Sequence, residues 1–176
     1  FAIQDFYGNS KPLGTSDAIF QTMNQYDELI KTRFLVCNCD NLYSVNAIKT
    51  LLGESNYNSM IAYDFEYLEF SNDRLSSFSL LNIENNFLSE IIEKPDIEFI
   101  RNHSKKKYVS MNIFSFKGSE IYKYLRDCPI NTKRGEKEIV TAIQNMILEN
   151  KKSVIAFPLC EHVPDLTYKD DLEKIL

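Results

Sequence analysis

The sequence predicts an α/β fold in which a mostly parallel but mixed sheet has helices on both faces. Apolar runs of strand type alternate along the chain with segments of helical periodicity, and this order is typical of parallel strands joined by helices. The pair Asn85-Asn86 separates two strand-type runs and indicates a hairpin, which makes the sheet mixed. The 176 residues, of which 44% are hydrophobic, are enough for about one domain with a substantial core.

Helices are predicted where apolar residues recur at spacings of three and four. Thr15 or Ser16 is expected to cap the first helix, which covers residues 17–30. Ser44 is expected to cap the second, and Gly53 to end it. Three further helices are predicted over residues 119–126, 136–149 and 169–176.

Strands are predicted where β-branched, aromatic and other apolar residues concentrate between turn residues. In chain order they cover residues 34–39, 58–65, 78–83, 87–92, 107–116 and 153–157. With helices packed on both faces of their sheet, the strands form a three-layer α/β/α sandwich. No internal repeat or linker interrupts the pattern, so residues 1–176 are predicted to be one domain.

Charge and cysteine content narrow the classes of function. The net charge of −5 argues against broad binding of nucleic acid or of an anionic membrane surface. No apolar run approaches the roughly 20 residues that span a bilayer. The basic segment 102–107 is either a solvated loop or a site for a phosphate or a partner. The cysteines suit neither a disulfide framework nor a zinc site, and we expect small buried thiols in a reducing, cytoplasmic setting; they are Cys37, Cys39, Cys128 and Cys160.

Two acidic residues follow apolar, strand-like runs. Asp40 ends the run over residues 34–39, and Asp165 follows the last predicted strand. In an open α/β sheet, ligands bind at the carboxyl ends of the strands. Carboxylates from two such ends can share Mg²⁺ through hard oxygen ligands. By itself, each acid is equally well explained as a turn or helix-cap residue.

Six segments together resemble the sugar nucleotidyltransferases, which join a sugar 1-phosphate to a nucleoside triphosphate and release pyrophosphate. These segments are residues 13–19, 35–43, 91–95, 109–116, 134–143 and 165–172. They occur in the order of the family and span nearly the whole chain, although Cys39 stands where the family usually has Gly. The resemblance implies a Rossmann-like sandwich, Mg²⁺ as the cofactor, and a nucleoside triphosphate and a sugar 1-phosphate as substrates.

The resemblance also implies the residues of the reaction. Asp40 and Asp165 are expected to bind the metal, and Lys94 to hold the incoming sugar phosphate. Read without the resemblance, Glu93-Lys94-Pro95 is only a strand end before a proline.

Six further residues are expected to bind substrate. A residue without Cβ allows close approach of the nucleobase to the backbone, and a polar residue in mid-strand needs a partner or a ligand. Gly14 and Asn112 fit these two descriptions, and Glu93 is expected to accept hydrogen bonds from sugar hydroxyls. The full expected set is Gly14, Thr15, Asn41, Glu93, Asn112 and Glu136.

One part of the family pattern is not in this sequence. The family has an N-terminal glycine-rich loop, roughly Gly-x-Gly-Thr-Arg followed by Pro-Lys, whose amides and cations hold the triphosphate. Here the first motif begins at Leu13, and the chain does not start with Met. We therefore expect an N-terminally incomplete member that is inactive or nearly so alone. A missing strand and helix would expose a sheet edge, so we also expect a partner chain or a homo-oligomer.

Two alternatives to a sugar nucleotidyltransferase stay open. The first is a transferase, such as a cytidylyltransferase, that acts on phosphocholine or another phosphorylated alcohol. The second is a non-catalytic domain of the same fold, used for binding or assembly. The sequence does not indicate which nucleotide or which sugar is used.

Overall fold

The computed structural model describes residues 1–53, 55–167 and 171, with only the backbone described at Asn72. The predicted C-terminal helix over residues 169–176 lies outside the described residues, apart from Asp171. In chain order the helices are α1 (Thr15–Gln25), α2 (Glu28–Lys31), α3 (Val45–Leu52), α4 (Asn72–Leu75), α5 (Ile97–Asn102), α6 (Gly118–Arg126) and α7 (Ile139–Glu149). The strands are β1 (Arg33–Cys37), β2 (Asn58–Asp64), β3 (Ser79–Glu84), β4 (Phe87–Glu93), β5 (Tyr108–Ser110), β6 (Ile113–Lys117) and β7 (Val154–Leu159).

The chain forms two compact units. Residues 1–34 and 116–151 make up the first unit, and residues 35–115 with the chain from residue 152 onward make up the second. The first unit is helical in its main part, and the second contains most of the residues of the sheet. No helix in the described part of the chain is long and apolar enough to cross a membrane.

In the first unit, α6 packs against α1, α2 and α7. Gly118 begins α6 and donates its amide to the carbonyl oxygen of Thr32 at 2.9 Å. A Cβ at Gly118 would lie 1.8 Å from the carbonyl oxygen of Leu29, so the close approach of these segments requires glycine. The apolar stripe predicted for α7 is confirmed, since five of its side chains are buried: Ile139, Ala142, Ile143, Met146 and Ile147.

The predicted first helix differs from the structure in two ways. It is divided into α1 and α2, with the break at Tyr26 and Asp27. Its N-cap is Gly14, and no side chain caps it. The prediction of Thr15 or Ser16 as the cap is therefore wrong. The Thr15 hydroxyl instead accepts a hydrogen bond from the Ile139 amide at 3.2 Å, which links the start of α1 to the start of α7.

The second unit is built around a sheet of seven strands in the order β1-β6-β2-β5-β3-β4-β7, with β2 also pairing β7. The pairing of β2 with β7 is parallel. Antiparallel pairings join β2 to β5, β2 to β6, β3 to β4, β3 to β5 and β4 to β7. The predicted α/β class and mixed sheet are confirmed, but the sheet is mostly antiparallel rather than mostly parallel. β3 and β4 pair antiparallel because only two residues connect them, whereas a parallel pair needs a crossover of a dozen or more residues. The other antiparallel pairs join strands that are not consecutive in the chain.

The predicted helix cap and the predicted hairpin in this unit are both confirmed. Ser44 caps α3 by accepting the Ala47 amide at 3.0 Å. Asn85 and Asn86 have φ values of 51° and 67° and connect β3 to β4 as the predicted hairpin. The core beside the sheet includes Tyr63, Val109 and Ile113, all buried.

One long predicted strand, over residues 107–116, is two strands in the structure. Asn112 separates β5 from β6 and has a φ of 55°. Few non-glycine residues adopt this left-handed conformation. The alternation of polar and apolar side chains does not depend on it, so the sequence pattern gave no sign of the break. Asn112 thus lies in a kink and not in mid-strand, as the sequence suggested.

The expectation of buried thiols holds for Cys128, which is 3% exposed. Cys37, Cys39 and Cys160 are exposed, so the expectation is wrong for them. All four cysteines are free thiols.

Candidate functional site

In the first unit, Gly14, Thr15 and Glu136 lie together. The Ser16 amide donates to the carbonyl oxygen of Lys137 at 3.0 Å, and the Lys137 amide donates to that of Leu13 at 2.6 Å. A Cβ at Gly14 would lie 3.0 Å from the Cβ of Glu136. Hydrogen bonds between their backbones therefore hold two segments side by side that are more than 120 residues apart in sequence. Three of the expected substrate-binding residues lie in these two segments.

The side chain of Glu136 has a cationic partner that the sequence did not indicate. Lys11 Nζ lies 2.7 Å from Glu136 Oε1, and it also donates to the carbonyl oxygen of Arg134 at 2.9 Å. Both side chains are partly exposed, so this ion pair leaves Glu136 accessible to a ligand.

Gln4 and Asp17 are a second feature of this unit that sequence reasoning missed. Gln4 Nε2 donates to the carbonyl oxygen of Gly14 at 3.3 Å and to Asp17 Oδ2 at 3.1 Å. Asp17 is 2% exposed, and it also accepts Gln21 Nε2 at 2.7 Å. The two partners of Gln4, a backbone carbonyl and a carboxylate, are 10 and 13 residues away in sequence, and no local pattern indicates this pairing.

In the second unit, the structure brings the segments of Asp40 and Asp165 together. The Leu166 amide donates to the carbonyl oxygen of Asp40 at 2.8 Å, and the Leu42 amide donates to that of Pro164 at 2.9 Å. Asn41 and Asp165 form the antiparallel bridge between these two bonds. The backbone pairing of residues 40–42 with residues 164–166 is thus consistent with the prediction that the two acids meet.

Tyr43 joins Asn41 and Asn112 to the same place. Its hydroxyl contacts Asn41 Oδ1 at 3.1 Å, donates to the carbonyl oxygen of Met111 at 2.6 Å and lies 3.4 Å from that of Asn112. Burial raises the pKa of the Tyr43 hydroxyl well above its usual value, and the negative charges of Asp40 and Asp165 add to the shift. The Tyr43 hydroxyl thus links the segment of Asn41 to the turn at Asn112.

Lys94 and Asn112 follow strand ends that are in register. Ser79 of β3 pairs with Glu93 at the end of β4 and with Ser110 at the end of β5. Because both strands run antiparallel to β3, they point the same way and end in the same row. Lys94 has a φ of 44° and Asn112 a φ of 55°. Left-handed non-glycine residues are concentrated at ligand sites. Lys94 is expected to hold the sugar phosphate, and Asn112 is expected to contact the sugar.

Arg74 is the main site residue that the sequence did not indicate. Its Nη1 and Nη2 donate to Asp171 Oδ1 and Oδ2 at 2.7 and 2.8 Å, and Nη2 donates to the carbonyl oxygen of Asp165 at 3.0 Å. Nη2 also lies 3.3 Å from Asp165 Oδ1. The hydrogen bonds to Asp171 raise the pKa of the Arg74 guanidinium above its usual value. Arg74 is in α4, a helix of four residues that no sequence pattern marked.

The basic segment at residues 105–107 forms ion pairs and ring contacts. Lys106 Nζ lies 2.9 Å from the buried Asp64 carboxylate, and Lys105 Nζ lies 3.6 Å from Glu84. Lys107 Nζ lies 5.7 Å from the centre of the Phe65 ring. Because the lysines already have partners within the chain, these contacts favour the interpretation of this segment as a surface loop. They give less support to the alternative, a phosphate-binding site.

The acids present are a suitable, though minimal, donor set for Mg²⁺. Mg²⁺ commonly binds one or two carboxylates and takes its remaining ligands from water and substrate phosphates. The described residues contain no cluster of three or more His, Cys, Asp or Glu side chains that could hold a metal. Asp40 and Asp165 therefore fit a cation that is bound jointly with a phosphorylated substrate.

Comparison with known proteins identifies the fold. Neither a protein-family model nor a curated protein matches the chain. Solved structures do match it. A Bacillus anthracis protein assigned as a glucose-1-phosphate thymidylyltransferase, in complex with sucrose, aligns with 94% of this chain and 61% of its own at 18% identity and a TM-score of 0.66. A UDP-glucose pyrophosphorylase complexed with UDP-glucose aligns with 93% of this chain and 61% of its own at 15% identity and a TM-score of 0.67. The chain has the fold of the sugar nucleotidyltransferases.

A third protein with the sugar-nucleotidyltransferase fold widens the range of acceptors among similar structures. The inositol-1-phosphate CTP transferase of T. maritima aligns with 93% of this chain and 60% of its own at 15% identity and a TM-score of 0.64. The chain spans about three fifths of the length of these three proteins.

Proposed function

We propose that this chain contains the metal-binding and sugar-phosphate-binding parts of a sugar 1-phosphate nucleotidyltransferase. The observation that supports the proposal best is the backbone pairing of residues 40–42 with residues 164–166, which brings two acidic segments together. The pairing occurs in a fold shared with a glucose-1-phosphate thymidylyltransferase and a UDP-glucose pyrophosphorylase.

The reaction is an in-line displacement at the α-phosphorus of a nucleoside triphosphate. A phosphate oxygen of the sugar 1-phosphate forms the new bond to phosphorus, the bond between the α-phosphorus and the bridging oxygen breaks, and pyrophosphate leaves with that electron pair. Bound Mg²⁺ supplies positive charge that stabilises the charge on the transferring group. Asp40 and Asp165 hold the ion, and Lys94 holds the sugar phosphate through a charge-assisted hydrogen bond.

The remaining expected residues position the substrates. In the second unit, Glu93 accepts hydrogen bonds from sugar hydroxyls, and Asn41 and Asn112 contact the sugar phosphate. In the first unit, Gly14 and Thr15 bind the nucleobase next to Glu136. We propose a cytoplasmic enzyme, in keeping with its four free cysteines. Self-association, or pairing with a partner chain, stays a prediction.

A transferase of a phosphorylated alcohol is the second candidate function. The observation that favours it is the similarity, at a TM-score of 0.64, to an inositol-1-phosphate CTP transferase. Its reaction would use the same metal and phosphate groups and would differ only in the acceptor.

The first test is substrate binding by the chain itself, because its sequence contains no glycine-rich phosphate loop and we expect little turnover. Glucose 1-phosphate, inositol 1-phosphate and phosphocholine are titrated calorimetrically with and without Mg²⁺. We expect one of these phosphorylated compounds to bind only when Mg²⁺ is present. The substitutions Asp165→Asn and Lys94→Ala should abolish the heat of binding. Lys105→Ala is the matched control, since this exposed lysine contacts only Glu84 among its ionic partners in the described residues.

The second test is release of pyrophosphate by the complete gene product, measured over a matrix of nucleoside triphosphates and the same acceptors. Release that is lost in Asp40→Asn would establish the transferase and identify its substrates. Binding of an alcohol phosphate in preference to sugar 1-phosphates would favour the second candidate. A folded chain that binds none of these compounds would instead be a non-catalytic domain.

A further inference from the structure

We propose that Arg74 is a positioning residue that fixes the Asp165 carboxylate, so that one of its oxygens is kept for a divalent cation. The inference rests on the proposed function, because it takes Asp165 to be a metal ligand. Arg74 would not itself contact the metal or the substrate. It would act through Asp165.

The first argument is that the two oxygens of Asp165 have different surroundings. Oδ1 accepts the Thr167 amide at 2.9 Å and the Thr167 hydroxyl at 2.5 Å, and it lies 3.3 Å from Arg74 Nη2. Every hydrogen bond that the described residues donate to this carboxylate goes to Oδ1. Asp165 is 7% exposed, and its Oδ2 is not among the fully enclosed polar atoms without a partner in the described residues. Oδ2 is therefore the oxygen suited to a metal ion.

The second argument is that Arg74 is itself held rigidly. Both of its terminal nitrogens bind Asp171 in a bidentate pair at 2.7 and 2.8 Å, and its guanidinium lies 5.0 Å from the centre of the Phe70 ring. A planar guanidinium with two parallel bonds has little rotational freedom. Arg74 can thus transmit a fixed geometry to Asp165, both at Oδ1 and at the carbonyl oxygen 3.0 Å from Nη2.

The third argument is a balance of charge. A lone arginine beside a metal ligand would repel the cation. Here the positive charge of Arg74 faces the carboxylate of Asp171, whose side chain is 7% exposed. Asp171 therefore offsets Arg74, and the negative charge of Asp165 remains available to a cation. Partners that orient a metal ligand in this way typically change metal affinity by 10- to 100-fold, roughly, when they are removed.

The experiment is a Mn²⁺ titration of the 176-residue chain, with and without glucose 1-phosphate and inositol 1-phosphate, followed by the electron paramagnetic resonance signal of free Mn²⁺. We expect Arg74→Ala to weaken Mn²⁺ binding by about 10- to 100-fold. Arg74→Lys should weaken it less, because one ammonium can replace some but not all of the bonds to Asp165 and Asp171. The matched control is Lys106→Ala, which removes the cationic partner of another buried acid, Asp64, in the same unit and should leave Mn²⁺ affinity unchanged.

A second variant covers the case in which Arg74→Ala fails to fold. Thr167→Val removes the hydroxyl bond to Asp165 Oδ1 at an exposed position, and it should weaken Mn²⁺ binding in the same direction. Wild-type or tighter affinity in a folded Arg74→Ala protein, or in Thr167→Val where that alone folds, would overturn the proposal.

The outcome for Asp165→Asn separates the two proposals. Mn²⁺ binding that is lost in Asp165→Asn but kept in Arg74→Ala would overturn only the role of Arg74. A wild-type chain without saturable Mn²⁺ binding, either alone or with the sugar and inositol phosphates, would overturn the metal role of Asp165 in the proposed function, and the positioning role with it.

Discussion

A side-chain carbon on Gly14 would meet the carbonyl oxygen of Lys137 at 2.8 Å. Gly14 also has a φ of 96° and a ψ of −178°, a backbone conformation that is essentially restricted to glycine. The start of α1 and the segment before α7 can therefore approach each other only because residue 14 has no side chain. Glu136 and Thr15 are brought close together by the same contact.

This relationship predicts that Gly14→Ala is strongly destabilising. The strained backbone alone should lower the free energy of unfolding by about 1–3 kcal/mol, and displacement of Lys137 should add to the loss. Urea denaturation of the variant measures the effect. Gly8→Ala is the control, because Gly8 has a φ of 77° but no atom within 4 Å of an added Cβ. Equal losses in the two variants would show that the contact with Lys137 is unimportant.

The hydroxyl of Tyr43 is predicted to stabilise the second unit. It donates to the carbonyl oxygen of Met111 at 2.6 Å and accepts the Asn38 amide at 3.3 Å. Tyr43→Phe removes these bonds and should lower the free energy of unfolding by about 1–3 kcal/mol at pH 7. Tyr67→Phe, at an exposed position, is the control and should change it little.

The loss in Tyr43→Phe should depend on pH. The pKa of Tyr43 is raised in the folded chain, chiefly by burial. The contribution of the hydroxyl is therefore complete below the unfolded value of about 10 and declines as pH rises above it. Unfolding measured at pH 7 and near pH 11 should show a smaller difference between wild type and variant at the higher pH. A constant difference would contradict the raised pKa.

The ion pair between Asp64 and Lys106 should stabilise the folded chain less in acid than at neutral pH. Although burial opposes it, hydrogen bonds from Lys106 and from the Glu66 amide keep the pKa of Asp64 below its usual value. The contribution of the carboxylate is therefore present above the unfolded pKa of about 3.9 and is lost as pH falls through the folded pKa. Asp64→Asn should cost stability at pH 7 and progressively less below pH 4, roughly. Urea unfolding across this range checks the trend, and a pH-independent cost would refute it.

The hairpin between β3 and β4 predicts different effects on stability for alanine and for glycine at position 86. Asn86 has a φ of 67°. Asn86→Ala should lower the free energy of unfolding by about 1–2 kcal/mol, because alanine is strained in this region. Asn86→Gly should cause no such loss, since Asn-Gly is the preferred pair in this type of turn. Thermal unfolding of both variants tests the order, and a glycine variant less stable than the alanine variant would contradict it.

Local chemistry in the sequence was sufficient to predict the cap at Ser44, the hairpin at Asn85 and the buried stripe of α7. Each depends on residues within a few positions of one another. The predominance of antiparallel pairs was missed, since it depends on which strands become neighbours. The kink at Asn112 was missed as well, because an asparagine in left-handed conformation looks like any polar residue in an alternating run.

The candidate site shows the same division. Its acids could be proposed from the ends of apolar runs and from the order of the motifs. Arg74 could not, because its partners Asp165 and Asp171 are 91 and 97 residues away and its own helix is a single turn. An ion pair between distant residues leaves no periodicity in the sequence, so only the folded chain reveals it.

The position of β2 has a consequence for how the chain folds. All seven residues of β2 are buried, and its two edges pair with residues 108–115 on one side and 154–159 on the other. The central strand is therefore synthesised well before β7, and its second edge cannot be fully paired until residue 159 has been synthesised. Such long-range pairing slows folding and leaves strand edges uncovered in the meantime. We expect the nascent chain to be most prone to aggregation over this interval, before β7 closes the sheet.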